Sequence, residues 1–370
     1  MKSAFGPAVA VAFLAGAAAA SAQQAAQPDT VVREGVTIKC RITKATYQLV
    51  TYTPEKGPPV TVKGSEIQSI TFGDEPMALA SARNAARASL PDKALVKFEE
   101  ALKDVDGKKA RDWNKAPILL YWGDFLSDRG DVMGALAMLK RIRTECGDSW
   151  WRPESYRKAF EVAKAKGIET QKEVLTEMKA EPEPLASEAK MGLAELAATR
   201  NEHDEALTIY REVAGTSGSP QADAAKMGVF RTLKLMKKSS DLDEYSKKLL
   251  DDASTTPALQ QAAGAWAAGS MLEKAGKDRV KIRAAIFAAG KAIAMGPPDR
   301  KEEAEDYVAA LRVSAKAYAA MAAEAAKPEQ KEEYKVRASG YLMEIVRAYR
   351  GTPWAEAASL ELQALGVKEN

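Results

Sequence analysis

The spacing of apolar and polar residues changes once along the chain, close to residue 75. From Thr30 to Phe72 the period is two. Val36, Ile38, Cys40 and Ile42 alternate with Thr37, Lys39, Arg41 and Thr43, and the runs 47–52, 60–62 and 67–72 come after them. β-Branched and aromatic residues fill them, while Lys56-Gly57-Pro58-Pro59 and Lys63-Gly64-Ser65 supply turns between them. Four or five short strands are expected, forming a small half-open barrel or curled meander over 30–75. So little core is marginal alone, so the module should lean on the helices C-terminal to it. Beyond Pro76 apolar and small residues recur three or four apart through to the end, the period of helices with one buried face.

Those helices repeat. In 193–213 the periodic residues fall on both sides of Asn201, where a first helix must stop, and Asp204 and Glu205 open a second. Trp122-Gly123, Leu126, Gly130, Ala135, Leu139 and Ile142 have the same offsets as Leu193-Ala194, Ala197, Asn201, Ala206, Tyr210 and Val213. So do Ser81-Ala82, Ala85, Ser89, Ala94, Phe98 and Ala101. Ala189-Lys190-Met191-Gly192 recurs as Ala225-Lys226-Met227-Gly228, and Gly264 follows Gly228 by the same step; small residues there let backbones approach. Other pairs keep less of the pattern: 155–167 with 169–180, and 241–253, where Tyr245 stands near an expected Ala. Helices over 302–327 and 328–350 exceed the repeat length.

A large-small pair followed by small, turn, small, aromatic and apolar positions over about 34 residues resembles the tetratricopeptide repeat. The last segment, 352–366, with Pro353 in its first turn and Gly366 as its stop, resembles the final helix of tetratricopeptide proteins of the bacterial envelope. The order of leader, β module and repeats is similar to exported proteins of planctomycete-type bacteria. The resemblance implies a mainly α fold over 76–370, a right-handed α-solenoid of helix pairs preceded by a small all-β module, SH3-like or a curled meander.

Compartment is read from the first residues. Met1-Lys2 precedes an apolar run, Pro7 to Ala20, that ends Ala20-Ser21-Ala22. This is the pattern of a secretory signal over 1–22, cleaved before Gln23, with a polar linker over 23–29. A membrane anchor would need about 20 apolar residues and lacks them here. An exported protein, periplasmic or secreted, is expected, with no membrane span after signal cleavage. Two cysteines, Cys40 and Cys146, could then pair, closing a long loop worth roughly 4–5 kcal/mol in the chain-entropy model. Because Cys40 alternates with core positions, two separate buried thiols are the simpler expectation.

Of 370 residues, 46% are apolar, enough for a large core, and the formal charge of +3 is too near balance to draw the chain onto nucleic acid. Chemistry is scarce. His203, the lone histidine, lies in the tight turn 201–205, where a solvated role is expected before a catalytic one. Zinc by Cys/His spacing is excluded by the count, so no metal and no cofactor is expected. Asp104-Val105-Asp106-Gly107 opens like a calcium loop, but Lys108 and Lys109 come next and no closing acid exists; a helix-ending turn is the better reading. Gly269 with Gly276-Lys277 fails the phosphate-loop spacing. Paired acids such as Glu302-Glu303 and Glu332-Glu333 sit among Lys and Arg as solvated surface. No enzyme is expected.

In the resembled family the first helix of each pair lines a concave side that grips peptides. Aligned onto this chain, the groove-facing positions are Arg83, Arg87, Leu120, Asp124, Asp128, Glu195, Arg231 and Lys234. Their signs alternate, which argues against a uniform carboxylate clamp. Trp113, Trp122, Trp150 and Trp151 crowd one region with Tyr121, Phe125 and Tyr156. Trp122 is expected in the core. Trp150-Trp151 lie outside the helical pattern, either as a plug between the second and third pairs or as an exposed aromatic contact for a partner or glycan. The resulting expectation is an exported interaction scaffold for another envelope protein, with a cell-wall polysaccharide module as the alternative.

Overall fold

The computed structural model describes residues 27–107 and 114–367; the expected signal segment and Trp113 lie outside them. The chain divides into two compact units, Met1–Val162 and Ala163–Asn370. The fold is mainly α, with a small antiparallel sheet ahead of the helices.

In the first unit the alternating stretch forms five strands, β1 (Asp29–Arg33), β2 (Val36–Ala45), β3 (Leu49–Pro54), β4 (Val60–Lys63) and β5 (Ile67–Thr71). They pair antiparallel in the order β4-β3-β2-β1-β5. The sheet therefore starts at Asp29, one residue before the alternation does. Asp29 is buried, and its carboxylate accepts hydrogen bonds from the Ile42 amide (2.8 Å) and the Gly73 amide (2.9 Å), tying β1 to its neighbour and to the exit from β5. Val31, Cys40, Ile42, Val50, Tyr52 and Ile70 bury one face, as period two requires. Cys40 and Cys146 are both buried free thiols.

Helices α1 (Met77–Arg87), α2 (Pro91–Gly107), α3 (Lys115–Asp128), α4 (Val132–Glu145) and α5 (Arg152–Ala163) complete the first unit. The second holds α6 (Ile168–Lys179), α7 (Leu185–Thr199), α8 (His203–Ala214), α9 (Ala222–Leu235), α10 (Ser239–Asp251), α11 (Pro257–Ala275), α12 (Arg279–Ile293), α13 (Glu305–Ala323), α14 (Pro328–Ala348) and α15 (Pro353–Ala364). The packed pairs include α1 with α2, α3 with α4, α7 with α8, α9 with α10, α11 with α12 and α13 with α14.

One backbone device marks the pairs. Ser89, Gly130, Asn201, Lys237 and Gly276 each sit in the turn between a first and a second helix, and each has a left-handed φ between +54° and +78°. In four of these turns the residue right after the left-handed one, the third beyond the helix, donates its amide five residues back: Leu90 to Ala85, Asp131 to Leu126, Glu202 to Ala197 and Lys238 to Leu233. That six-to-one bond satisfies an orphan carbonyl at the helix end and turns the chain back. Lys237 shows that the device holds even where sequence offers no turn-former.

A β-carbon at Gly228 of α9 would fall 2.5 Å from the Tyr210 ring of α8, and one at Gly192 of α7 would fall 2.9 Å from Leu175 of α6. Glycine there admits a side chain from the preceding pair onto bare backbone. At Gly123 and Gly264, by contrast, the close neighbours, Leu139 and Ala292, come from the partner helix of the same pair.

Trp150 and Trp151 pack toward the sheet, Trp151 buried and Trp150 half-buried. Trp151 is buried against Phe72, with ring centroids 5.5 Å apart, and meets Trp150 edge-on at 5.3 Å. The Trp150 indole N–H donates to the Gly64 carbonyl (3.1 Å) and its amide to the Ala45 carbonyl (3.0 Å). Tyr47 completes the joint by donating its amide to the Asp148 carbonyl (3.0 Å). The plug thus joins the β module to the α4–α5 corner, because the module's edge offers backbone acceptors that the indole can reach.

Candidate functional site

Four of the aligned positions meet in one cleft of the first unit. Arg83 and Arg87 project from the last turns of α1, four residues apart on one face; Asp124 and Asp128 do the same on α3. Together with Ser89, Phe98, Tyr121, Phe125 and Arg129 they line a cleft of about 490 Å³. Its floor is aromatic: Phe98 stacks on Trp122 (5.8 Å, 7° between planes) and leans on Phe125 (5.7 Å). Trp122 packs beneath Phe98 but is half-buried, so it stands at the margin of the core and not within it.

The charges around the rim are not equivalent. The Arg83 guanidinium lies 2.5 Å from a Glu75 carboxylate oxygen and 4.8 Å above the Tyr121 ring, so two partners fix it. Asp124 is held by Lys158 at 2.8 Å. Arg129 covers Phe125 at 5.6 Å. Arg87 and Asp128, both exposed, make no ion pair among the described residues. Among the described residues the cleft therefore presents two rim charges of opposite sign without ion-pair partners, Arg87 and Asp128, over a floor of rings.

Leu120 is a correction. It is 8% exposed and belongs to the core, not to a groove. The first half of α3, Ala116 to Leu120, is buried on every side; only from Tyr121 onward does the helix reach the surface. A helical offset alone cannot register where along its length a helix emerges.

In the second unit Glu195 lies on α7, Arg231 and Lys234 on α9. Burial raises the Tyr210 phenol above its ordinary value; Glu195 adds to the rise and Arg231 opposes it, so both charges are within electrostatic reach of one ring. Lys234 reaches past the next pair to Glu305 at the start of α13 (2.8 Å) and holds that carboxyl below the usual range. The neighbouring Asp306 is raised by burial. Glu305 and Asp306 carry no repeat signature and were invisible to alignment; the acid pair at a helix start was the available signal. His203 opens α8 and is half-buried, with Nδ1 unbonded. No described helix is long and apolar enough to cross a membrane.

No family model and no curated protein matches the chain. Similar solved structures are helical-repeat proteins at low identity. A tetratricopeptide repeat protein from Parabacteroides merdae is 15% identical, over 64% of this chain and 83% of that one, at a TM-score of 0.31. The human IFIT1 dimer with m7Gppp-AAAA is 16% identical, over 77% of this chain and 62% of that one, at 0.34. The P58(IPK) TPR domain is 15% identical, over 78% of each chain, at 0.29.

Proposed function

We propose that this protein is a non-catalytic interaction scaffold, exported to the periplasm or beyond, that holds a segment of another cell-envelope protein against the first helices of its pairs. One observation carries the reading. Four residues chosen by repeat alignment alone, Arg83, Arg87, Asp124 and Asp128, come together around an open cleft with an aromatic floor. Rings give a peptide apolar burial, and rim charges of both signs fix its direction. The leader-like residues 1–22 support export.

Site-specific photo-crosslinking tests this in the native envelope. A photoreactive residue replacing Ser89, on the cleft wall, should give a discrete adduct with one protein; the same residue at Val280, exposed on α12, should not. No adduct from Ser89, or identical adducts from both sites, would remove the cleft as the contact. Cell fractionation tests export: a mature chain in the cytoplasm would overturn it.

A further inference from the structure

The outer face of the β module differs in composition from the rest of the surface. The five strands contain a single acid, Asp29, which is buried and engaged by two backbone amides. They contain five cations. Arg33 is paired with Glu34 and Glu66 at the rim. The other four, Lys39, Arg41, Lys44 and Lys63, are exposed and make no ion pair among the described residues.

Register places these four on one side. Lys39 lies opposite Thr30, Arg41 opposite Thr53, Lys44 opposite Thr51, and Thr51 in turn opposite Thr61. Irregular pairing between Ile42 and Lys44 keeps Lys44 on the outer side after the step, where strict alternation from Arg41 would have turned it inward. Lys63 faces Leu49 on the adjoining pair. Between the cations stands a lattice of hydroxyls, with Thr51 and Thr61 bonded to each other at 3.0 Å. The module's other acids, such as Glu34 and Glu55, sit in the turns around the edge.

We infer that this face binds an acidic polysaccharide, a carboxylated or sulfated glycan laid across β2, β3 and β4. The cations match its charge, and threonine hydroxyls both donate to and accept from sugar hydroxyls. Other polyanions fit less well. Single-stranded nucleic acid needs rings to stack on, and every ring of the module, Tyr47, Tyr52 and Phe72, is buried beneath the opposite face. An anionic bilayer needs apolar side chains to insert, and the large ones exposed here, Val36 and Leu49, stand at the ends of their strands. An acidic peptide would add to an edge, but the edge strands β4 and β5 are four and five residues long.

The test passes full-length protein over immobilised polymannuronate alginate, with dextran as the neutral control. Retention at low salt, lost as ionic strength rises and absent on dextran, is the expected result. Combining Lys39→Gln, Arg41→Gln, Lys44→Gln and Lys63→Gln should weaken binding by about tenfold or more, four exposed contacts being removed, with the melting midpoint unchanged. Should that variant fold poorly, Thr37→Glu, which sets an acid beside Lys39, should weaken binding in a well-folded chain. Undiminished binding by either folded variant would overturn the inference. So would equal retention on dextran, no retention on alginate, or tighter binding of polyglutamate, oligo-dT or phosphatidylglycerol vesicles to the same residues.

Discussion

The Tyr210 ring rests on the bare backbone of Gly228, with no room between them for a methyl group. Because one aromatic face closes the seam between α8 and α9, glycine is required where helix propensity alone would favour alanine. Gly228→Ala gains about 1 kcal/mol of intrinsic propensity. Against this, an atom 2.5 Å from a rigid ring must push the seam apart, at a cost of about 1–3 kcal/mol. Urea denaturation should therefore show a net loss of stability. A gain would mean that the seam opens freely.

Trp151→Ala removes a buried indole that touches Phe72 and Trp150, and should cost about 3–5 kcal/mol. Amide exchange should accelerate first in β2 and β3, which the joint supports. Trp150→Phe keeps an aromatic ring but removes the indole N–H, leaving the Gly64 carbonyl with the Ile67 amide as donor, for about 1 kcal/mol or less. Equal exchange rates in the Trp151 variant would show that the sheet stands without the tryptophan.

Burial pushes the Cys40 thiol up to about 11, with Asp29 adding to the rise. The folded state therefore keeps a proton that the unfolded state releases near pH 9, and stability is full below that value and declines as pH climbs toward 11. The loss attributable to Cys40 is on the order of 2 kcal/mol. Cys40→Ala should flatten that part of the stability–pH curve. Without reductant, neither thiol should react with Ellman's reagent at pH 8 in the native protein, and both should react in denaturant.

Arg87 and Arg83 should separate binding from folding. Arg87 is exposed and unpaired, so Arg87→Ala should leave stability within about 0.5 kcal/mol while weakening partner capture at the cleft. Arg83 is clamped by Glu75 and Tyr121, so Arg83→Ala should lower stability by about 1 kcal/mol as well. Matched melting curves and crosslinking yields decide; unaffected capture in the Arg87 variant would discount the cleft.

The local periods were legible in the sequence and much of the rest was not. Alternation over 30–72 and the offsets around Gly130 and Asn201 report backbone geometry directly, and strands and turns appear where they fall. Lys237 carries no turn signal in the sequence, because its left-handed turn is imposed by the helices it joins and by the Lys238–Leu233 bond, not by its own preference. Leu120 misled because one stripe of α3 passes from core to surface along its length. The roles of Trp150 and Trp151 depend on carbonyls at Ala45 and Gly64, acceptors that every residue carries and no side-chain pattern announces.

That last dependence bears on how such a chain changes over generations. The joint between the β module and the α4–α5 corner asks the module for two carbonyls, at Ala45 and Gly64, and one amide, at Tyr47, contributed by main chain. Mutations on the outer face of β2, β3 and β4 leave those groups in place. The module can thus accumulate substitutions at its exposed positions, and so drift toward new ligands, while its attachment to the helices is inherited unchanged.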